Sequence, residues 1–105
     1  MLRNFIESSG YYVKTAVDGL DAYNILLGEA FDLVVSDVEM PRMNGFDLTT
    51  KIRELSQYSD LPIILVTALD SADDQRRGLE AGANAYIVKG SFKNSNLIDT
   101  IKRLI

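Results

Sequence analysis

The stretch FDLVVSDVEMPRMNG, residues 31–45, places an acid, a proline and a glycine directly after an apolar run. The nearly continuous apolar character of residues 31–36 predicts a strand that helices cover on both faces. Asp37 follows this strand, and a carboxylate at such a place is costly unless a partner uses its negative charge. The stretch therefore predicts a buried strand whose carboxyl end carries a functional acid.

The composition of the chain is that of one globular domain over residues 1–105. It is 47% hydrophobic and contains no repeat or linker. No apolar run approaches the length of about 18 residues that a membrane span requires, and the start does not resemble a signal peptide. The absence of cysteine fits a reducing compartment, so a cytoplasmic location is expected, without membrane association.

Charge and the absence of histidine exclude several classes of function. The net charge of −4 and the lack of a continuous basic stripe argue against binding to nucleic acid. Because the chain has no histidine, it cannot carry a Ser-His-Asp triad, a histidine metal ligand or a phosphohistidine.

The order of apolar patterns and helix-terminating residues predicts a parallel α/β sheet. Strands alternate with helices of about 10–15 residues, and right-handed crossovers bring the carboxyl ends of such strands to one edge. Ligands of open α/β sheets bind at that edge. The predicted strands are 11–17, 31–36, 61–68 and 84–88, and the predicted helices are 2–8, 45–55, 72–81, one from Asp18 to about residue 30, and a last one capped by Ser95.

Three of the predicted strands lead into polar residues at this edge, namely Asp37, Thr67 and Lys89. A carboxylate can act as a nucleophile that forms an acyl phosphate. Lys89 would supply a point charge and Thr67 a hydroxyl for the phosphoryl oxygens, with Mg²⁺ neutralising the remainder. Considered singly, each residue has a plainer interpretation as a turn cap, a β-forming residue or a solvated cation. Their combination at three strand ends favours a phosphoryl site at Asp37.

The segments VVSDVEMPRMNGFDL, PIILVTA and AGANAYIVKG, in this order and spacing, resemble the response-regulator receiver domain of two-component signalling. The resemblance covers essentially the whole chain. It implies a flavodoxin-like, doubly wound fold with five parallel strands in the order 2-1-3-4-5. It further implies that Asp37 is the phosphoacceptor, Thr67 the switch hydroxyl, Lys89 the phosphate-contacting lysine, and Tyr86 the aromatic residue whose rotamer follows phosphorylation.

The same resemblance implies a role in a phosphorelay. The chain would accept phosphate from a histidine kinase or a phosphotransfer protein without being an enzyme itself. Mg²⁺ would be held by Asp37 and by the backbone carbonyl of Glu39. The segment KGSF, residues 89–92, is similar to receivers of chemotaxis-type hybrid histidine kinases. Gly90 stands where the family usually has a cis-proline, and we expect a trans peptide there because the cis form costs about 2.5–4 kcal/mol before a non-proline residue.

The family's first strand and its Mg²⁺-binding acidic pair have no match in this sequence. We therefore expect weak Mg²⁺ binding, because Asp37 is then the one evident carboxylate. We also expect either that strand 11–17 moves to the vacant central position of a four-stranded sheet, or that two chains associate through the incomplete sheet. The alternative function is a receiver-like docking or dimerisation module that is not phosphorylated. A flavodoxin-like cofactor binder is a third possibility, although a glycine-rich phosphate loop is missing.

Overall fold

The computed structural model describes residues 2–91 and 94–105. Within these residues, helices and strands alternate along most of the chain, with short 3₁₀ turns at Ser56–Tyr58 and Lys89–Ser91. The helices are α1 (Leu2–Ser8), α2 (Gly19–Gly28), α3 (Gly45–Glu54), α4 (Ala72–Ala81) and α5 (Asn94–Leu104), and the strands are β1 (Val34–Ser36), β2 (Ile63–Thr67) and β3 (Ala85–Val88).

Side-chain caps fix the starts of three helices. Asp18, Asn44 and Ser71 precede α2, α3 and α4, and each accepts the N–H of the residue three positions later at 2.8–3.0 Å. Gly82 ends α4 in the left-handed region, with a φ of 116°, which agrees with the predicted helix over residues 72–81. The predicted cap at Ser95 is wrong, because α5 already begins at Asn94 and Ser95 lies inside its first turn.

The three strands form one parallel sheet in the order β1-β2-β3, which confirms the predicted parallel α/β architecture. Every residue of the central strand β2 is buried. Its side chains alternate between two apolar clusters, so that Ile63 and Leu65 face one side and Ile64 and Val66 the other. The first cluster includes residues of α2 and α3, and the second includes residues of α1 and α5. Helices thus cover both faces of the sheet.

The predicted strand over residues 11–17 is wrong. This segment has no regular secondary structure, and in the described part of the chain no hydrogen bond reaches the backbone of residues 11–16. Tyr11 and Val13 pack against the second cluster, whereas Tyr12 is fully exposed. The alternation that predicted a strand therefore reflects packing on one side, and a strand also requires a neighbouring edge with which to pair.

The expected four-stranded sheet is wrong for the same reason. Residues 11–17 form no strand in the sheet, and β1 pairs within the described residues only with β2. The open edge leaves Val34 and Val35 half-buried, although the sequence predicted a strand covered on both faces. No described helix is long and apolar enough to cross a membrane.

Candidate functional site

The three residues predicted from strand ends lie at the carboxyl edge of the sheet. Asp37 follows β1, Thr67 ends β2, and Lys89 follows β3 in a 3₁₀ turn. The register pairs Ser36 with Leu65 and Thr67 with Val88, which sets the three strand ends side by side. Parallel pairing, and not any local sequence signal, brings these residues together.

Both oxygens of the Asp37 carboxylate accept hydrogen bonds. Oδ2 accepts from Nζ of Lys89 at 2.7 Å, across 52 positions of sequence. Oδ1 accepts from the backbone N–H of Val38 at 2.7 Å and of Glu39 at 3.2 Å. The side chain of Asp37 is 33% exposed, so a reactant can still approach it. The negative charge of Asp37 is therefore offset by one lysine and two backbone N–H groups.

These donors keep Asp37 ionised. Burial raises the pKa of its carboxyl, but the hydrogen bond from Lys89, the N–H of Glu39, the charge of Lys89 and the N–H of Val38 together outweigh burial. The net pKa lies below the ordinary value for aspartate. A depressed pKa means that the carboxylate, which is the nucleophilic form, persists at neutral pH and is lost only in acid.

The loop that follows Asp37 closes back on itself. The N–H of Gly45 donates to the carbonyl of Val38 at 2.9 Å. A Cβ on Gly45 would lie 2.3 Å from the carbonyl oxygen of Asp37, so a side chain does not fit there without displacing backbone. The Asp37–Gly45 spacing in the sequence thus reflects a tight return from the strand end to the first residue of α3.

Thr67 and Tyr86 are linked through the backbone of Leu69. The fully buried Thr67 hydroxyl oxygen accepts the N–H of Leu69 at 3.3 Å. The Tyr86 hydroxyl donates to the carbonyl of Leu69 at 2.9 Å. Burial, followed by the charges of Asp74, Asp37 and two further acids, raises the pKa of Tyr86. Tyr86 is partly buried against the first cluster, and neither Thr67 nor Tyr86 hydrogen-bonds to Asp37.

Gly78 of α4 makes room for the ring of Tyr86. A Cβ on Gly78 would lie 2.7 Å from Cδ2 of Tyr86 and 3.1 Å from Cδ1 of Leu65. The prediction for this site did not include Gly78, because the sequence does not show which helical glycine lies against an aromatic ring.

Replacing Gly78 with Ala is expected to force Tyr86 out of this position and to break its hydrogen bond to Leu69. The free energy of unfolding should change by no more than about 1 kcal/mol, because the helix gains from alanine while the contact is lost. Gly28→Ala is the matched control, since nothing lies within 4 Å of a Cβ there. Tyrosine ring signals in NMR spectra, assigned with Tyr86→Phe, report the position. An unchanged Tyr86 signal in the Gly78 variant would contradict this packing.

The peptide bonds around Lys89 match the expectation from Gly90. No described peptide bond is cis, so the bond between Lys89 and Gly90 is trans. The ion pair from Lys89 to Asp37 thus forms with a trans peptide after Lys89.

The residues around Asp37 offer Mg²⁺ few ligands. In the described ranges, no three side chains of Asp, Glu, His or Cys come together as a cation site. Asp37 supplies a carboxylate, and the backbone carbonyl of Glu39 lies two residues further on. Protein sites for Mg²⁺ use one or two carboxylates together with waters and phosphate oxygens. The residues present therefore fit Mg²⁺ with one carboxylate, which is the smallest number that such sites use.

Comparison with known proteins finds similarity to receiver domains. A model of the response regulator receiver domain matches residues 1–102. The sensor histidine kinase RcsC of Salmonella typhimurium is 44% identical over 89 residues, which cover 85% of this chain and 9% of that protein. The chain spans between 9% and 49% of the lengths of seven further curated relatives.

Solved structures show the same fold. The chemotaxis protein CheY4 of Vibrio cholerae is 34% identical, with a TM-score of 0.91 over all of this chain and 87% of that one. The receiver domain of the sensor histidine kinase PA1611 from Pseudomonas aeruginosa, with a magnesium ion in its active site cleft, is 29% identical. Its TM-score is 0.89, over 98% of this chain and 84% of that one. The predicted flavodoxin-like α/β fold is confirmed.

Proposed function

Because this chain belongs to the response-regulator receiver-domain family, we propose that it takes up a phosphoryl group on the carboxylate of Asp37. The observation that carries the proposal is the Asp37 carboxylate itself, ionised, one-third exposed and paired with Lys89 at 2.7 Å. A structural ion pair alone would not require the carboxylate to lie at the ligand-binding edge of the sheet. The donor is a histidine kinase or a phosphotransfer protein.

The proposed transfer conserves atoms and charge. A carboxylate oxygen of Asp37 attacks the phosphorus of a phosphohistidine on the donor, while the bond between phosphorus and the imidazole nitrogen breaks. The electron pair of that bond stays on the nitrogen, which takes up a proton. The product is an acyl phosphate on Asp37 and a histidine on the donor. The chain contributes the nucleophile and its surroundings, so we do not class it as an enzyme.

Lys89 has the role of a fixed positive charge. Its Nζ already donates to Oδ2 of Asp37, so that it is close enough to contact phosphoryl oxygens after transfer. When bound, Mg²⁺ supplies further positive charge to the phosphoryl oxygens, and Asp37 and the Glu39 carbonyl would hold it. With one carboxylate among the ligands, we expect weak binding of Mg²⁺.

The path from the site into the protein runs through Leu69. Thr67 and Tyr86 hold the two sides of its backbone, its N–H and its carbonyl. If a phosphoryl oxygen draws the Thr67 hydroxyl toward Asp37, the N–H of Leu69 loses its acceptor. The Leu69 backbone and Tyr86 would then rearrange together, which assigns Thr67 and Tyr86 to the conformational response.

Membership of the family supports a signalling role in contact with protein partners. We propose a cytoplasmic receiver that contacts protein partners and binds neither nucleic acid nor membrane. Relatives such as RcsC are much longer than this chain, which spans 9% of that protein.

Incubation with a small phosphodonor such as phosphoramidate or acetyl phosphate, with Mg²⁺, tests the proposal. We expect one phosphoryl group per chain, stable in acid and released by base, as an acyl phosphate is. Labelling should require high Mg²⁺ concentrations because of the sparse ligands. The absence of any labelling across the range of Mg²⁺ concentrations would reject the phosphoacceptor function.

A second candidate is a docking or dimerisation module that is not phosphorylated. The open edge of β1 and the backbone of residues 11–16, both without a further partner among the described residues, favour it, because unpaired strand edges associate with other chains. The proposed occupant is a second copy of this chain. Light scattering should then give the mass of a dimer, with or without phosphodonor, and a monomer at every concentration would exclude it.

A further inference from the structure

The loop after Asp37 is tied to the start of α2 by an ion pair. Nε of Arg42 donates to Oδ2 of Asp18 at 2.7 Å, across 24 positions of sequence. Asp18 is buried, with 6% of its surface exposed, while the Arg42 side chain is 60% exposed. The contact therefore joins a buried acceptor to a surface loop that continues directly from the candidate site.

Asp18 is held in place independently of Arg42. Its Oδ1 accepts the N–H of Asp21 at 2.8 Å and so caps α2. The N–H of Asp21, followed by the hydrogen bond from Arg42, lowers the pKa of the Asp18 carboxyl. Asp18 is thus a negatively charged residue whose first oxygen caps α2 and whose second oxygen accepts from Arg42.

Arg42 has a backbone conformation that its side chain does not favour. Its φ is 66°, and it is the single non-glycine residue with a positive φ among those that the structure describes. The N–H of Met43 donates to the carbonyl of Pro41 at 2.7 Å, which makes Arg42 the centre of a γ-turn. Positive-φ γ-turns are rare and strained, and they persist where the surroundings enforce them.

The backbone of the same turn lies directly against the start of α2. A Cβ on Gly19 would be 2.0 Å from the carbonyl oxygen of Met43. The loop and the helix thus touch at two points, through the Asp18–Arg42 pair and through Gly19 against Met43. The side chain of Arg42 binds Asp18, and Gly19 leaves room for the Met43 carbonyl. Both contacts hold the turn in its conformation.

The opposite end of this loop holds the Asp37 carboxylate. The N–H groups of Val38 and Glu39 donate to Oδ1 of Asp37, and the carbonyl of Val38 accepts from Gly45. A loop fixed at Asp18 therefore also fixes the two donors that orient Asp37.

We propose that Arg42 and Asp18 form a clamp that positions Asp37 for phosphoryl transfer by holding the loop of residues 38–44 in its observed conformation. The inference rests on the proposed function of Asp37. Arg42 is a positioning residue, because it contacts the loop and Asp18 but neither Asp37 nor a transferred group. The clamp also places the Glu39 carbonyl, the backbone oxygen that would contact Mg²⁺.

Two variants break the ion pair of the clamp, one by removing its cation and the other by removing its anion. Arg42→Gly removes the ion pair and relieves the unfavourable φ, so the protein should be at least as stable as before. Asp18→Asn keeps an oxygen that can cap α2 but removes the charge that Arg42 requires. Arg42→Lys keeps the positive charge and should restore part of any lost function. Lys14→Ala breaks the exposed Lys14–Glu29 pair and is the matched control.

The experiment measures the labelling rate with phosphoramidate and the amide NMR shifts of Val38 and Glu39 in each variant. We expect a roughly tenfold slower rate in Arg42→Gly and Asp18→Asn, because small misplacements of reacting groups have effects of this order or larger. We expect partial recovery in Arg42→Lys and no change in Lys14→Ala. The shifts of Val38 and Glu39 should move with the rates, while stability does not.

The two readouts separate this inference from the proposed function. If the parent chain is not labelled at all, the function of Asp37 fails, but displaced amide shifts in the Arg42 and Asp18 variants still report a clamp. Wild-type rates together with unmoved Val38 and Glu39 amides in Arg42→Gly would overturn the clamp, and so would a rate loss that merely follows a loss of stability.

Discussion

Replacement of Asp37 with Asn is expected to abolish phosphoryl labelling of this chain. The amide has nearly the same shape and can still accept the N–H groups of Val38 and Glu39 through its oxygen. It lacks the ionised oxygen that attacks phosphorus, so no acyl phosphate can form. Lys89 also loses its charged partner, but a half-exposed pair contributes little to folding, so the variant should stay folded. Intact-mass spectrometry after incubation with phosphoramidate and Mg²⁺ measures the effect.

The control for this loss is another acid beside the same strand. Asp32 lies just before β1, at the amino end, and its side chain is exposed. Asp32→Asn removes an equal charge at a distance from the carboxyl edge and should be labelled like the parent chain. Labelling of Asp37→Asn at the parent rate would place the acceptor elsewhere. Loss of labelling in both variants would point to overall charge instead of a nucleophile.

The candidate site could be predicted because its residues sit at the ends of readable strands. The apolar runs before Asp37, Thr67 and Lys89 identify three strands, and the rules of parallel sheets place their carboxyl ends at one edge. The sequence therefore predicted which residues share an edge. It did not predict that Lys89 contacts Asp37 directly while Thr67 hydrogen-bonds to Leu69 instead.

The sequence did not predict the contacts between loops. Arg53 donates to the carbonyls of Tyr58, Leu61 and Gly82 and to the Asn84 side chain, and so joins the end of α3 to the loops before β2 and β3. Its place on a helix otherwise matches an ordinary surface arginine. The Arg42–Asp18 pair is similar, because no periodic pattern connects a loop arginine to a helix cap.

The wrong prediction of a strand over residues 11–17 has a different cause. Alternating β-forming residues describe which side chains can pack, and Tyr11 and Val13 do pack inward as the alternation requires. Pairing depends on a second backbone edge in register, which lies outside the information in the segment itself. The pattern thus predicted the hydrogen bonding of this segment wrongly, and Val17 at its end is exposed.

Replacement of Gly45 with Ala is expected to destabilise the protein and to impair labelling at once. Gly45 is the first residue of α3, where helix propensity alone favours alanine by up to about 1 kcal/mol. The new Cβ would lie 2.3 Å from the carbonyl oxygen of Asp37 and 2.8 Å from Cα of Val38. These are backbone atoms, so relief requires the loop to move. Overpacking of this kind costs about 1–3 kcal/mol or more.

The expected loss of about 3 kcal/mol corresponds to a fall in Tm of about 12–24 °C for a domain of this size. Calorimetry or thermal circular dichroism measures it, with Gly28→Ala as the control that gains helix propensity without meeting any atom. Because the displaced atoms belong to Asp37 and Val38, labelling at a temperature where the variant is folded should also slow. A Gly45→Ala protein as stable and as readily labelled as the parent would show that the loop does not close against Gly45. The position of Asp37 would then depend on Lys89 and the strand alone.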